Sequence, residues 1–188
     1  MKPYVVGIDI GGTNTVFGIV DARGQVLASD SIKTMKYVDF DDYVEELHKE
    51  LSRLIKANDM DDKIQGIGIG APNGNYYTGE IVNPPNLPWG PRIPLAEKVS
   101  KAFGGIPVAV TNDANAAALG EMTYGAARGM KDFIMITLGT GVGSGIVING
   151  QLVYGSDGFA GELGHVIVKR NNGRICGCGR TGCLEAYC

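Results

Sequence analysis

One unit occurs twice in the 188 residues and constrains the fold more than any other feature. It is an apolar run, a turn of glycine and hydroxyl residues, and a second apolar run. The first copy is residues 4–10, then Gly11-Gly12-Thr13-Asn14-Thr15, then residues 16–20, with a further turn at 21–24 leading into residues 25–28. The second copy is residues 133–138, then Gly139-Thr140-Gly141-Val142-Gly143-Ser144, then residues 145–149; Asn149-Gly150-Gln151 echoes Arg23-Gly24-Gln25. Short apolar runs bounded by such turns read as buried strands. A strand–turn–strand unit excludes a dinucleotide-binding fingerprint and a Walker loop, because both need a helix after the glycines. What remains is a hairpin whose backbone N–H groups can approach phosphate oxygens, since glycine puts no side chain in the way. Taken singly, Gly-Gly-Thr-Asn is also an ordinary turn. Two such hairpins facing a cleft between two lobes suit a nucleotide whose phosphates are clamped from both sides.

Between the copies the pattern alternates helix and strand. From Asp39 to about Asn58, Phe40, Tyr43, Val44, Leu47, Leu51, Leu54 and Ile55 fall on one helical face, with charges opposite and His48 expected among them in solvent. Residues 64–70 read as a strand. A loop with prolines at 72, 84, 85, 88, 91 and 94 and the only tryptophan, Trp89, follows. Loops of that length are usually functional or disordered, and the prolines and the aromatic favour an ordered lid over a sugar, or a structural flap. A helix over 95–103 and a strand over 107–111 lead into Asn112-Asp113 and an alanine-rich helix. Asp113 is then either a helix cap or a catalytic carboxylate at the mouth of an open sheet.

The last thirty residues bring together Glu162, His165, Cys176, Cys178, Cys183 and Glu185 among closely spaced glycines. Three thiolates and an imidazole make a complete tetrahedral donor set for Zn²⁺. The alternatives are a disulfide knot or buried free thiols. A metal-bound imidazole keeps one ring nitrogen for another partner, and two carboxylates beside it would suit a polyhydroxylated molecule such as a sugar. Cys188 is expected to be a spare buried thiol.

Seventeen Lys and Arg against twenty Asp and Glu, with no basic cluster, argue against a nucleic-acid surface. No stretch approaches a membrane span. The N-terminus enters a strand pattern at once, so no signal peptide is expected and a cytoplasmic, reducing location follows, which favours thiolates over disulfides.

These motifs together resemble the ROK family of bacterial sugar kinases and repressors over the whole chain, most closely its glucose-phosphorylating members. Asp9 with Gly11, Gly12, Thr13 and Asn14 is similar to the family's first phosphate motif, and the Gly139, Thr140, Gly141 turn to its second. Asn112-Asp113, Gly161–His165 and Cys176–Glu185 resemble its sugar and zinc signatures. The resemblance implies an α/β, actin-like ATPase or ribonuclease-H-like fold of two lobes around a cleft. An N-terminal lobe (1–115) would carry the first phosphate hairpin and the lid. Residues 116–188 would begin a second, incomplete lobe with the second hairpin and zinc loop. It implies ATP, Mg²⁺ and structural Zn²⁺ as cofactors, and transfer of phosphate to a hexose, chiefly glucose, with Asp113 as general base. Asn112, Asp113, Glu162, His165, Glu185 and Gly74 would contact the sugar, and His165, Cys176, Cys178 and Cys183 would hold zinc. Kinases for N-acetylglucosamine, N-acetylmannosamine, fructose or allose are the alternatives, with a sugar-sensing regulator lacking its DNA-binding segment behind them. A homo-oligomer, dimer or tetramer, is expected of the full-length form. The family continues well beyond the end of this chain, with the adenosine pocket downstream. The 188 residues alone are therefore expected to be inactive, with Ile136 exposed on an unpartnered strand.

Overall fold

The structure is a computed structural model that describes residues 3–84, 86–139 and 141–188. The chain divides into two compact units, Met1–Asp113 and Ala114–Cys188.

The first unit is built on the first hairpin. Strand β1 (Tyr4–Ile10) pairs antiparallel with β2 (Asn14–Asp21), which pairs antiparallel with β3 (Val26–Lys33). Helix α1 (Phe40–Ala57) follows, and β4 (Ile64–Gly70) returns parallel to β1. The proline-rich segment then contributes a short antiparallel pair, β5 (Ile81–Val82) and β6 (Arg92–Ile93). Helix α2 (Leu95–Ala102) leads to β7 (Val108–Thr111), parallel to β4. The sheet order is β3-β2-β1-β4-β7. Three antiparallel strands continued by parallel ones through helical crossovers are the sheet of the actin-like, ribonuclease-H-like fold.

Burial follows sequence period. Val6, Ile8 and Ile10 of β1 alternate into the core with Phe17 and Ile19 of β2. Tyr43, Val44, Leu47 and Leu51 of α1 meet them at helical spacing. Asp39 starts the helix, its carboxylate accepting from the N–H groups of Asp41 and Asp42. Strand β3 runs five residues past the expected end at residue 28, because Ser29, Asp30 and Ser31 suit an edge strand with one solvated face. His48 is half-buried rather than free in solvent: its ring packs edge-on against Phe103, centroids 4.8 Å apart. An imidazole offers an apolar body as well as a polar tip, so its charged neighbours did not decide its place. The proline-rich segment is anchored to the same core. Leu87 is buried, and the Trp89 indole packs against the Tyr43 ring, centroids 4.3 Å apart and planes tilted by 41°, and donates to the Tyr37 carbonyl.

Helix α3 (Asp113–Tyr124) opens the second unit, whose sheet is β8 (Phe133–Leu138), β9 (Val142–Ile148) and β10 (Gln151–Leu152), antiparallel in the order β10-β9-β8. The alanines of α3 have a packing reason. A Cβ on Gly143 would stand 2.9 Å from that of Ala114, and one on Gly145 would stand 2.6 Å from that of Ala118. Both glycines therefore belong to β9, which begins three residues before the expected start at 145 and needs them small. β8 leaves Ile134, Ile136 and Leu138 more than half exposed along one face. No helix among the described residues is long and apolar enough to cross a membrane.

Candidate functional site

In the first unit the parallel strands end together, with Asp9 of β1 beside Gly70 of β4 and Gly70 beside Thr111 of β7. The turn after β1 closes through the Gly11 N–H on the Asn14 carbonyl, 3.0 Å, and leaves Thr13 and Asn14 exposed. Asn86 lies against Gly12, where a Cβ would meet its own Cβ at 3.2 Å. After β4 the chain turns so that Gly74 sits on the end of β7, and a Cβ there would lie 2.4 Å from the Thr111 carbonyl oxygen. Only Asn112 separates β7 from Asp113, the first residue of α3. Asp9, Gly74, Asn112 and Asp113 thus come from three segments to the carboxyl edge of one sheet, the edge at which open α/β sheets bind ligands. Partial burial, and after it the negative charge of Asp113, raise the Asp9 carboxyl above its ordinary value.

The second unit brings the knot together. The turn after β8 is closed by the Gly139 N–H on the Gly141 carbonyl, 3.0 Å; Thr140 lies outside the described residues. Loop 161–165 is seated on the strand that leaves this turn. The Ser144 hydroxyl donates to the Gly161 carbonyl and accepts from the Leu163 N–H at 3.2 Å, and Gly164 packs on the Val142 carbonyl so closely that no Cβ would fit. His165 ends that loop in a 3-10 turn, while Glu162 is exposed. The cysteine segment folds back on it through the Leu184 N–H to the Val166 carbonyl (2.9 Å) and the Val168 N–H to the Gly182 carbonyl (2.9 Å).

A ring nitrogen of His165 and the sulfurs of Cys176, Cys178 and Cys183 all lie within 4.8 Å of one another. His165 Nδ1 stands 3.7 Å from the Cys176 sulfur, and the Cys178 and Cys183 sulfurs are also 3.7 Å apart. Zn–S bonds of about 2.3 Å set tetrahedral S···S edges near ~3.8 Å, so the donor types and these two edges fit zinc. No disulfide joins these cysteines. The Cys178 thiol is drawn down to about 6, first by the Arg180 backbone N–H, whereas the Cys176 thiol, against the lowering by the Cys178 backbone N–H, is pushed up to about 11 by burial and its neighbours, so the two titrate in opposite directions. With Nδ1 toward the Cys176 sulfur, Nε2 is the ring nitrogen left for another partner. Glu185 is half-buried and turned toward the second hairpin. Its Oε2 accepts from the Val142 N–H at 3.0 Å, and a Cβ on Gly141 would meet the same oxygen at 2.5 Å. Its Oε1 lies 3.5 Å from the Cys176 sulfur. Cys188 is exposed rather than buried, its thiol beside the Leu184 carbonyl at 3.6 Å beyond the final 3-10 turn. Ser144 was legible only as a turn residue. Its buried, inward position on a strand is the signal that it serves the neighbouring loop.

Residues 5–188 match the profile of the ROK family. The chain belongs to the ROK family. Among curated ROK relatives, the glucokinase of Halalkalibacterium halodurans is 41% identical over 187 residues, which is 97% of this chain and 55% of that protein. The chain thus spans about half the length of the curated relatives it matches. The crystal structure of a ROK family glucokinase from Streptomyces griseus in complex with glucose and AMPPNP superposes with a TM-score of 0.82 at 37% identity, covering 98% of this chain and 56% of that one. A ROK family transcriptional regulator, a homolog of the E. coli MLC protein, superposes at 0.85 with 29% identity, covering 98% and 46%. Proteins named N-acetylmannosamine kinase and xylose repressor are also among the ROK matches.

Proposed function

We propose that these residues form the sugar-binding and phosphate-binding part of an ATP-dependent hexose kinase acting on glucose. The observation that carries the reading is the convergence of Asp9, Gly74, Asn112 and Asp113 on one sheet edge, in a chain that resembles a glucokinase bound to glucose and an ATP analogue. Asn112, Gly74, Glu162, Glu185 and Nε2 of His165 hold the sugar hydroxyls. The primary hydroxyl oxygen attacks the γ-phosphorus of ATP, the bond from that phosphorus to the β,γ-bridging oxygen breaks, and ADP leaves. Asp113 accepts the hydroxyl proton as the new P–O bond forms. The Gly11–Asn14 turn, held closed by the Gly11 N–H and presenting those of Gly12, Thr13 and Asn14, holds the phosphates together with the Gly139–Gly141 turn, so that catalysis is mainly positioning and charge neutralisation.

Asp9 and Asp113, close enough for the charge of Asp113 to raise the Asp9 carboxyl after burial has done so, make a suitable place for Mg²⁺, which supplies neutralising charge when bound. His165, Cys176, Cys178 and Cys183 would hold zinc, which there supplies structure to loop 161–165 and fixes the His165 ring. A thiolate set of this kind suits a reducing cytoplasm.

A coupled ADP-release assay across glucose, N-acetylglucosamine, N-acetylmannosamine, fructose and allose tests the reading. It is run on this polypeptide and on one extended to the length of the relatives. The extended protein should release ADP fastest with glucose. The 188 residues alone should not turn over, since they match 55% of a glucokinase relative and leave the Ile134, Ile136 and Leu138 face bare. The likeness to a ROK regulator supports a second reading, sugar sensing without phosphoryl transfer. Glucose binding by the extended protein without ADP release would decide for it.

A further inference from the structure

Beneath the first phosphate turn lies a chain of three hydroxyls that the mechanism above does not use. The Thr15 hydroxyl shares hydrogen bonds with the Thr34 hydroxyl at 3.0 Å and the Tyr43 hydroxyl at 2.9 Å. All three residues are fully buried, at 0% exposure. Thr15 is the first inward side chain after the turn, paired across the hairpin with Ile10. Thr34 reaches the turn a second way, its N–H donating to the Thr13 carbonyl at 3.0 Å. Tyr43 belongs to α1, and its ring lies 4.3 Å from that of Trp89 in the proline-rich segment, whose Asn86 covers Gly12.

Packing alone would be met by Val at 15 and Phe at 43, with no buried polar atoms to satisfy. A buried hydroxyl costs stability unless it is bonded, whereas a fully satisfied network specifies one geometry. The turn it specifies is the one whose N–H groups must point at phosphate oxygens.

We propose that Tyr43 is a positioning residue for the first phosphate-binding turn, acting from α1 through the hydroxyls of Thr15 and Thr34. The proposal rests on the reading of Gly11–Asn14 as a phosphate site. Burial raises the Tyr43 phenol well above its ordinary value, so its hydroxyl keeps its proton throughout the working pH range. The network also joins the proline-rich segment to the turn, since Trp89 packs on the ring whose hydroxyl holds Thr15.

The test uses protein that contains residues 1–188 and turns over glucose and MgATP, with Tyr43→Phe, Thr15→Val and Thr15→Ser compared with wild type. Phe and Val keep the packing volume and remove one hydroxyl, while Ser keeps the hydroxyl and removes a methyl. Tyr43→Phe and Thr15→Val should each raise the KM for MgATP by about 5-fold, the effect of one buried hydrogen bond felt at the turn. The KM for glucose should stay within about 2-fold, and Thr15→Ser should behave as wild type for MgATP. MgATP titrated calorimetrically, and followed by the emission of Trp89, should show the same weakening without turnover. Equal MgATP constants in wild type, Tyr43→Phe and Thr15→Val would overturn the proposal. So would Thr15→Ser failing as badly as Thr15→Val, which would make the site one of packing. A wild-type protein that binds no MgATP would instead overturn the phosphate reading beneath it.

Discussion

Asp113 occupies the first position of a helix, where an aspartate is common for reasons of capping alone, and its proposed role as general base rests on its neighbourhood. Its charge reaches Asp9 at the end of a different strand, and two carboxylates are not gathered at a sheet edge for stability, since burial and then the charge of Asp113 disfavour ionisation of Asp9. In the active kinase, Asp113→Asn should lower kcat by at least ~100-fold and leave glucose affinity nearly unchanged, because a general base acts in the transition state. Near-normal turnover in that variant would return Asp113 to the role of a helix start. His165→Ala should behave differently and lose both zinc and glucose binding. Elemental analysis giving one zinc per chain in wild type and little in the variant is the expected result, and undiminished zinc would remove His165 from the ligand set. X-ray absorption should find Zn–S near 2.3 Å and Zn–N near ~2.0–2.1 Å.

At the scale of elements, the knot and α1 are held by opposite means. α1 has a cap, acidic residues in its first turn, a lysine in its last and an apolar face, so its position is over-determined. Leu51→Ala, at a fully buried position of that face, should cost about 2–5 kcal/mol in urea unfolding, whereas loss of the exposed Asp39 cap should cost about 1 kcal/mol. Two equal values would mean that α1 is not docked by its apolar face. The knot has little apolar area and depends on close backbone crossings. Gly182 has φ +85°, and its backbone crosses Lys169 so closely that a Cβ would overlap the Lys169 carbonyl oxygen. Gly182→Ala therefore combines left-handed strain with a backbone clash, at least ~2 kcal/mol together. It should release zinc to a chelator several-fold faster while leaving the α1 unfolding transition in place. Unchanged zinc release would show that the crossing is not what holds the donor set.

For the molecule as a whole, the telling surface is the open side of β8. Loop 161–165 covers Val142 and Ser144 of β9, whereas Ile134, Ile136 and Leu138 on the adjoining strand are 56%, 54% and 75% exposed. A row of large apolar side chains on an edge strand is a template for association. A purified polypeptide of these 188 residues should bind a hydrophobic dye and self-associate in light scattering, and the double variant Ile136→Lys with Leu138→Lys should reduce both. A wild-type polypeptide that stays monomeric and binds no dye would show the face to be harmless as it stands.

Much of this was legible in the chain itself, because it is written in local chemistry. The period of Phe40 to Ile55 dictates a helix with one buried face, and alternating apolar runs broken by glycine dictate hairpins. Four soft donors of the right type within a short span dictate a metal-compatible cluster once glycines allow the backbone to turn. Other features rest on neighbours far away in sequence. That β9 begins at Val142 follows from α3 lying on Gly143 and Gly145, and that His48 is half-buried follows from Phe103 meeting its ring. Glu185 turning to the Val142 N–H, Asp9 feeling Asp113, and Thr15 joining Thr34 to Tyr43 are contacts between segments 19 or more residues apart. A sequence states which groups are available. Only the close approach of backbones in the folded chain decides which of them meet, because a hydrogen bond or a carboxylate's field acts over a few ångströms whatever the separation along the chain.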